Sequence, residues 1–223
     1  MTRVVQPAGE RGSLRWIQRA IAENWQSLEA PILARLPAAK HIEWRSPLAR
    51  DDFAEYRDGS FLDLLGLGAL KPELAEFWPA GGPQWDALAR TDNGEILLIE
   101  AKAHIAEMCS PGTSAGPQSR AIISERLAAC AERLGARKQH APWTEHFYQL
   151  ANRLAHLQFL RDHGVPAHLV LVNFVNDSEM GGPSSPEVWE AAYQVAFHVM
   201  GLGKRHALSK YLVEVFPAVD GSI

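Results

Sequence analysis

From Thr91 to Ala103 the chain reads Thr-Asp-Asn-Gly-Glu-Ile-Leu-Leu-Ile-Glu-Ala-Lys-Ala, and this stretch restricts the fold most tightly. Its Asn93-Gly94 step tolerates the positive φ that tight hairpin turns demand. Behind the turn, Ile96-Leu97-Leu98-Ile99 is an unbroken apolar run where a half-exposed strand would alternate. The strand over 95–103 is therefore expected to be covered on both faces, with 84–90 as its hairpin partner. A second such run, His168-Leu-Val-Leu-Val-Asn-Phe-Val175, predicts another buried strand. Strands covered on both faces need helices above and below the sheet.

Helical periods flank them. Leu14, Ile17, Ile21, Trp25, Leu28 and Ile32 recur at three- and four-residue steps, predicting a helix with Ser13 as N-cap that Pro31 kinks or ends. Residues 53–70 read as one or two short helices, with Lys71-Pro72 and Pro79-Ala-Gly-Gly-Pro83 as breakers. After a small-residue loop over 108–117, a helix is expected over about 119–138, with Ile123, Leu127, Cys130 and Leu134 as its core stripe. Another follows over about 142–163, closing at Gly164. Ser184-Ser-Pro-Glu187 opens a further helix, with Pro186 in its first turn and Glu187 placed for a capping box. Residues 211–219 read as a final edge strand and 1–12 as a flexible arm. The order is that of a three-layer α/β domain over 13–223, a mixed central sheet flanked by helices.

Composition narrows the function. With 47% hydrophobic residues the chain can build a proper core, which excludes wholesale disorder. Lys and Arg number 22 against 26 Asp and Glu, a formal net charge of −4. That excludes binding to polyanions through bulk positive charge, but not an enzyme using local basic residues and bound metal. Cys109 and Cys130 are too few for a disulfide framework, and the nine histidines lack zinc-ligand spacing. The N-terminus has no signal-peptide core, and no apolar stretch approaches the ~18 residues of a membrane span. A soluble, cytoplasmic protein is the expectation. There is no Gly-x-Ser-x-Gly elbow, and Gly201-Leu-Gly-Lys-Arg205 lacks the upstream glycine and following Ser/Thr of a phosphate loop.

The chemistry lies on the hairpin. Strand alternation puts Glu100 and Lys102 on one face. Asp86 stands 14 positions before Glu100 (100 − 86), and folding about the turn can set it opposite. Two carboxylates and an ammonium then converge where the strand is otherwise apolar. Burying like charges together is costly without compensation, and a divalent cation between Asp86 and Glu100 would supply it. Few, hard oxygen ligands with room for waters and a phosphate suit Mg²⁺. Such an ion polarises a phosphodiester and acidifies a bound water. Lys102 would orient or deprotonate that water, or stabilise the developing charge. The same residues also fit a cross-strand ion pair at an ordinary strand end.

Pro83-Gln-Trp-Asp86 followed by Ile99-Glu100-Ala101-Lys102 resembles the PD-(D/E)xK motif of the restriction-endonuclease-like nuclease superfamily. Residues 85–177 look like an uncharacterised bacterial branch of it, through Trp85-Asp86-Ala87, Glu100-Ala-Lys-Ala-His104 and Tyr148-Gln-Leu-Ala-Asn-Arg-Leu154. In the superfamily the proline adjoins the Asp, whereas Gln84 and Trp85 intervene here. The resemblance implies a core of α-β-β-β-α-β order, Asp86 and Glu100 as Mg²⁺ ligands with the Ala101 carbonyl as a third, and Lys102 as the catalytic lysine. Mn²⁺ would substitute for Mg²⁺, and the partner would be nucleic acid, DNA before RNA, with a homodimer allowed. Because the superfamily includes members without nuclease activity, an inactive binding or regulatory module is the alternative.

On the helix over 142–163, Gln149, Asn152, Arg153 and His156 form one polar stripe at i, i+3, i+4 and i+7. It would either line the cleft or face solvent. In the first case Gln149 joins the catalytic set near the metal waters with Tyr148, while Asn152 and Arg153 bind substrate, Arg153 on a phosphate. Arg126, Arg133 and Arg137 read as surface first and phosphate contacts second. His104 and Glu107 are expected on the surface and at a helix start, with a supporting or extra-ligand role as the alternative. A further acid from an upstream element would be Glu55, Asp52 or Glu43. Trp25, Trp78 and Trp143 are expected in core or interface.

Overall fold

The hairpin turn forms where the Asn-Gly step places it, and only the glycine takes a left-handed conformation. In the computed structural model, which describes residues 2–203 and 205–219, Gly94 has φ of 90°. Its N–H donates to the Thr91 carbonyl at 2.9 Å, and the Glu95 N–H donates to Thr91 Oγ1 at 2.9 Å. The turn joins β4 (Ala87–Thr91) to β5 (Ile96–Lys102). The remaining sheet strands are β2 (Ile42–Ser46), β6 (Ala167–Asn173) and β7 (Leu212–Val215), and a short pair is formed by β1 (Arg3–Val4) and β3 (Glu55–Tyr56). The helices are α1 (Gly12–Ala22), α2 (Gln26–Arg35), α3 (Gly59–Leu64), α4 (Lys71–Phe77), α5 (Pro117–Arg133), α6 (Tyr148–Asp162) and α7 (Pro186–Val199).

The protein is an α/β domain on a five-stranded mixed sheet of order β2-β4-β5-β6-β7. The first two pairings are antiparallel, and β5-β6 and β6-β7 are parallel. The double cover is complete. Leu97, Ile99, Val170 and Val172 pack under Trp16 and Ile17 of α1 and Leu28 and Ile32 of α2. Ile96, Leu98, Leu169 and Leu171 pack under Ile123 and Leu127 of α5, Leu154 and Leu157 of α6, and Trp189 of α7. Burying each aliphatic side chain of these strands contributes about 1.5–3 kcal/mol, which is why the two apolar runs command the middle of the sheet. No helix of the described residues is long and apolar enough to cross a membrane.

Several boundaries differ from the sequence reading, each for a local reason. The first helical period is split at Asn24, whose φ is 53°, and Pro31 lies inside α2 instead of ending it. Ser13 falls within α1, whose N-cap is Arg11. Lys71-Pro72 opens α4, since proline in a first turn forfeits no helix hydrogen bond. Alpha5 starts at Pro117 and ends at Arg133, where Gly135 at φ 74° takes the left-handed closing position. Alpha6 begins only at Tyr148, because Phe147 has φ of 53°, and it closes at Gly164 with φ of 75°. Ser185 is the N-cap of α7, which puts Glu187 one position early for a capping box.

The N-terminal residues, read as a flexible arm, lie against the domain. Beta1 pairs with β3, Arg3 bonds Asp51 at 2.7 Å, and Gln6 bonds Glu55 at 2.9 Å. Lys204 of the Gly201–Arg205 stretch and residues 220–223 lie outside the described residues.

Candidate active site

The ladder between β4 and β5 pairs Ala87 with Ile99 and Leu88 with Leu98, so one further step sets Asp86 across from Glu100. Asp86 sits just before β4, where its Oδ2 accepts the Ala101 N–H at 2.7 Å. Leu88, Leu98, Glu100 and Lys102 share the sheet face under α5 and α6. Asp86, Glu100 and Lys102 therefore come together on that face, beneath the start of α6. Ala101 reaches the group through its amide, while its side chain packs on the opposite face.

Glu100 is the hub. It is 4% exposed, and both of its oxygens are engaged: Oε1 by Lys102 Nζ and Oε2 by Arg153 Nε at 2.6 Å. Lys102, 7% exposed, also donates to Gln149 Oε1 at 3.1 Å. Arg153 spends its other groups on Asn152 Oδ1 at 2.8 Å and the Gln84 carbonyl at 2.7 Å, and its guanidinium carbon lies 4.9 Å from the centre of the Trp85 ring. Arg153 thus holds Glu100 and does not reach out as a free phosphate ligand. The polar stripe of α6 is not solvated, since every residue from Leu150 to Leu160 is buried. His156 lies apart from the acids: its Nδ1 is 2.9 Å from the Asn152 carbonyl and its ring meets Trp78 edge-on at 4.8 Å. Burial pushes its pKa down to about 3, so at neutral pH it is an uncharged donor within α6.

Of the three upstream acids, Glu55 faces the group. It is buried on β3 and accepts from Gln6 and Gln84. Asp52 is exposed beside Arg3, 3.2 Å away, and Glu43 is exposed beside Arg45, 2.8 Å away. The short strand carrying Glu55 has too few residues to show a period. Gln84 also escaped sequence reasoning; it binds Glu55 by its side chain and Arg153 by its carbonyl, and only its place in the Pro83–Asp86 stretch marked it.

The electrostatics follow from three carboxylates facing two cations. Burial, aided by the charge of Glu100, pushes the Asp86 carboxyl up to about 8 against the pull of Lys102. Burial raises Glu55 as well. Burial would also raise Glu100, but Arg153 and Lys102 outweigh it and hold this carboxyl below its ordinary value. Lys102 is raised, because Glu100 and Asp86 outweigh its desolvation. Glu100 is therefore ionised and compensated, while Asp86 favours its protonated form up to about pH 8 and Glu55 is shifted in the same direction.

A cleft of about 670 Å³ opens onto Glu55 and Asp86. Tyr148, Gln149, Asn152 and Arg153 form its α6 wall, with the Pro79–Pro83 loop and the small-residue loop 110–116 around the mouth. Glu100 and Lys102 lie one layer deeper, around a small void that Gln149 also borders. Gln149 thus separates Lys102 from the cleft. His104 bonds Glu107 at 3.2 Å beyond the end of β5, and Arg133 bonds Asp162 at 2.8 Å on the surface. Trp78 and Trp143 are buried, and Trp25 packs partly buried against the α1–α2 cluster.

Fold and site define an α/β domain with a buried acid–base cluster at the edge of an open cleft. No family model, curated protein or solved structure matches the chain. Among the described residues, no group of three His, Cys, Asp or Glu side chains is set to hold a metal ion. The fit of a cation rests on donor chemistry: Asp86 presents a hard oxygen at the cleft, with Glu100 opposite.

Proposed function

We propose that the chain is a metal-dependent nuclease with a restriction-endonuclease-like fold, hydrolysing phosphodiester bonds in nucleic acid, DNA first. The observation that carries this reading is the gathering of Asp86, Glu100 and Lys102 on one face of the β4–β5 hairpin, beside a cleft. The chain order supports it: helices α1 and α2, three antiparallel strands, helices α5 and α6, then a strand parallel to the third. With the short β1–β3 pair and the inserted α3 and α4 set aside, this follows the α-β-β-β-α-β order that the PD-(D/E)xK resemblance implies.

In this reading Asp86 and Glu100 hold Mg²⁺ or Mn²⁺, with an Ala101 backbone oxygen as a third ligand. When bound, the ion polarises the phosphodiester and acidifies a water. Lys102, raised above its ordinary pKa, stays an ammonium at neutral pH. It orients the attacking water and stabilises developing phosphate charge, in preference to removing a proton. Gln149 positions Lys102 through their 3.1 Å hydrogen bond. Arg153 acts on Glu100 by orienting its carboxylate, and Tyr148 and Asn152 meet substrate along the cleft wall.

A second reading, an inactive binding or regulatory module, is favoured by one observation: both Glu100 oxygens are already bonded to cations. Cleavage of labelled single- and double-stranded DNA and RNA with Mg²⁺ or Mn²⁺ separates the two. The nuclease cleaves at least one polymer, and Glu100→Gln and Lys102→Ala each lower the rate by about 10²-fold or more. Absence of cleavage of all four by the wild type would reject the nuclease in favour of the module.

A further inference from the structure

The cleft contains a cation that no group among the described residues compensates. Arg57 directly follows β3 and stands two residues after Glu55, so both side chains leave this extended segment on the same side. Both residues line the cleft. The Arg57 backbone is fixed, its N–H donating to the Thr2 carbonyl at 3.0 Å, while the neighbouring Tyr56 carbonyl accepts the Trp85 N–H at 3.1 Å. Its guanidinium, by contrast, has no hydrogen-bond or ion-pair partner among the described residues, and its Nε is buried without an acceptor. Arg153, the other arginine of the cleft wall, has three partners.

A buried N–H without an acceptor is a cost that native proteins rarely leave in place. The guanidinium offers a planar fork of donors whose spacing matches two phosphate oxygens. The surrounding wall leaves room for such a group: the loops Pro79–Pro83 and 110–116 present glycine, alanine, serine and proline to the cleft.

We propose that Arg57 is the phosphate anchor of the cleft, holding a phosphate of the bound nucleic-acid strand by a bidentate contact while the acid cluster acts on the scissile bond. This rests on the nuclease reading for the identity of the strand. The phosphate role falls to Arg57 because Arg153, the candidate from sequence, is committed to Glu100.

The test is fluorescence anisotropy with a short labelled single-stranded DNA carrying a phosphorothioate backbone, in Mg²⁺, on the full chain. Arg57→Ala is expected to weaken binding roughly tenfold and to lower the salt dependence by roughly one ion. Arg57→Lys, which keeps the charge but loses the fork, falls between Arg57→Ala and wild type. Arg35→Ala, an exposed arginine at the end of α2 and outside the cleft, leaves binding unchanged. The thermal midpoint of Arg57→Ala matches or exceeds that of the wild type, because no partner is lost.

Equal binding by wild type and Arg57→Ala, no binding by the wild type, or a marked drop in the Arg57→Ala midpoint would each overturn the anchor. The outcomes separate from those of the nuclease reading. Cleavage by the wild type with no Arg57 effect on binding removes the anchor and keeps the nuclease. An Arg57-dependent affinity without cleavage keeps the phosphate anchor and removes the hydrolytic role.

Discussion

The raised pKa of Asp86 leads to a measurable link between pH, metal and stability. Its folded value is about 8 against an ordinary value of 3.8, so across that window the native state holds a proton that the unfolded chain has lost. The sign follows: raising the pH through the window favours unfolding, by up to about 1.4 kcal/mol per unit for one group. Asp86 opens onto the cleft, where water screens it, so we expect roughly half of the full effect, about 3 kcal/mol between pH 4 and 8. The absolute profile also contains His156, whose depressed pKa of about 3 acts with the opposite sign up to its ordinary value of 6.5. The informative quantity is therefore the difference between wild type and Asp86→Asn, in which His156 cancels. The Asn amide oxygen can still accept the Ala101 N–H, so the substitution removes the charge and keeps the contact. Urea unfolding in a chelating buffer should show Asp86→Asn gaining on wild type by about 3 kcal/mol from pH 4 to 8. Adding Mg²⁺ at pH 8 should stabilise the wild type and leave the variant unchanged. A difference that does not vary with pH would refute the electrostatic account of the site, and equal Mg²⁺ responses would refute Asp86 as a ligand.

Three further outcomes are expected. Arg153→Met leaves Glu100 with one of its two cations and should cost about 3–5 kcal/mol in urea unfolding at neutral pH; a double-mutant cycle with Glu100→Gln should recover a coupling above ~1 kcal/mol, and additivity would show that the pair does not interact. Gly182→Ala places a methyl 2.3 Å from the Ala103 carbonyl, a backbone atom just past β5; a loss of about 2–3 kcal/mol is expected, and an unchanged thermal midpoint would show that the contact can relax. Gly94→Ala has open space around it but φ of 90°, so its cost, about 1 kcal/mol, comes from backbone conformation alone and should leave metal and nucleic-acid binding unchanged.

The sheet centre was legible because burial on both faces leaves a one-dimensional mark, an unbroken apolar run, and Ile96–Ile99 and Leu169–Val172 are such runs. Beta2 was not, since Ile42-Glu-Trp-Arg-Ser46 is an edge strand whose alternation of inward and outward side chains runs over only five residues. Helix ends were misplaced where one residue settled the matter by its φ: Asn24 and Phe147 are left-handed, and neither has the glycine signature that marked Gly164. Within the site, the Asp86–Glu100 relation could be counted along the chain because one tight turn connects them. Glu55 is brought in through a two-residue pairing with the N-terminal segment, and no local spacing encodes that. The partners of Arg153 were hidden for a related reason. A helix period shows which residues share a face, but not whether a carboxylate waits beneath that face.

Position along β5 also distinguishes this polar cluster from a stabilising ion pair. On the face under α6 the strand presents Ile96, Leu98, Glu100 and Lys102 in turn, and β6 alongside presents Leu169, Leu171 and Asn173. Asn173 is fully buried and accepts the Tyr193 hydroxyl at 3.1 Å, so both parallel strands change from apolar to polar at their carboxyl ends. For stability alone the change gains little, since apolar residues of similar volume often do as well as or better than a buried ion pair. Parallel strands in open α/β sheets place their ligand crevices beyond the carboxyl ends. The cost of desolvating Glu100, Lys102 and Arg153 thus falls where such a crevice lies, beside the cleft of Glu55, Asp86 and Arg57.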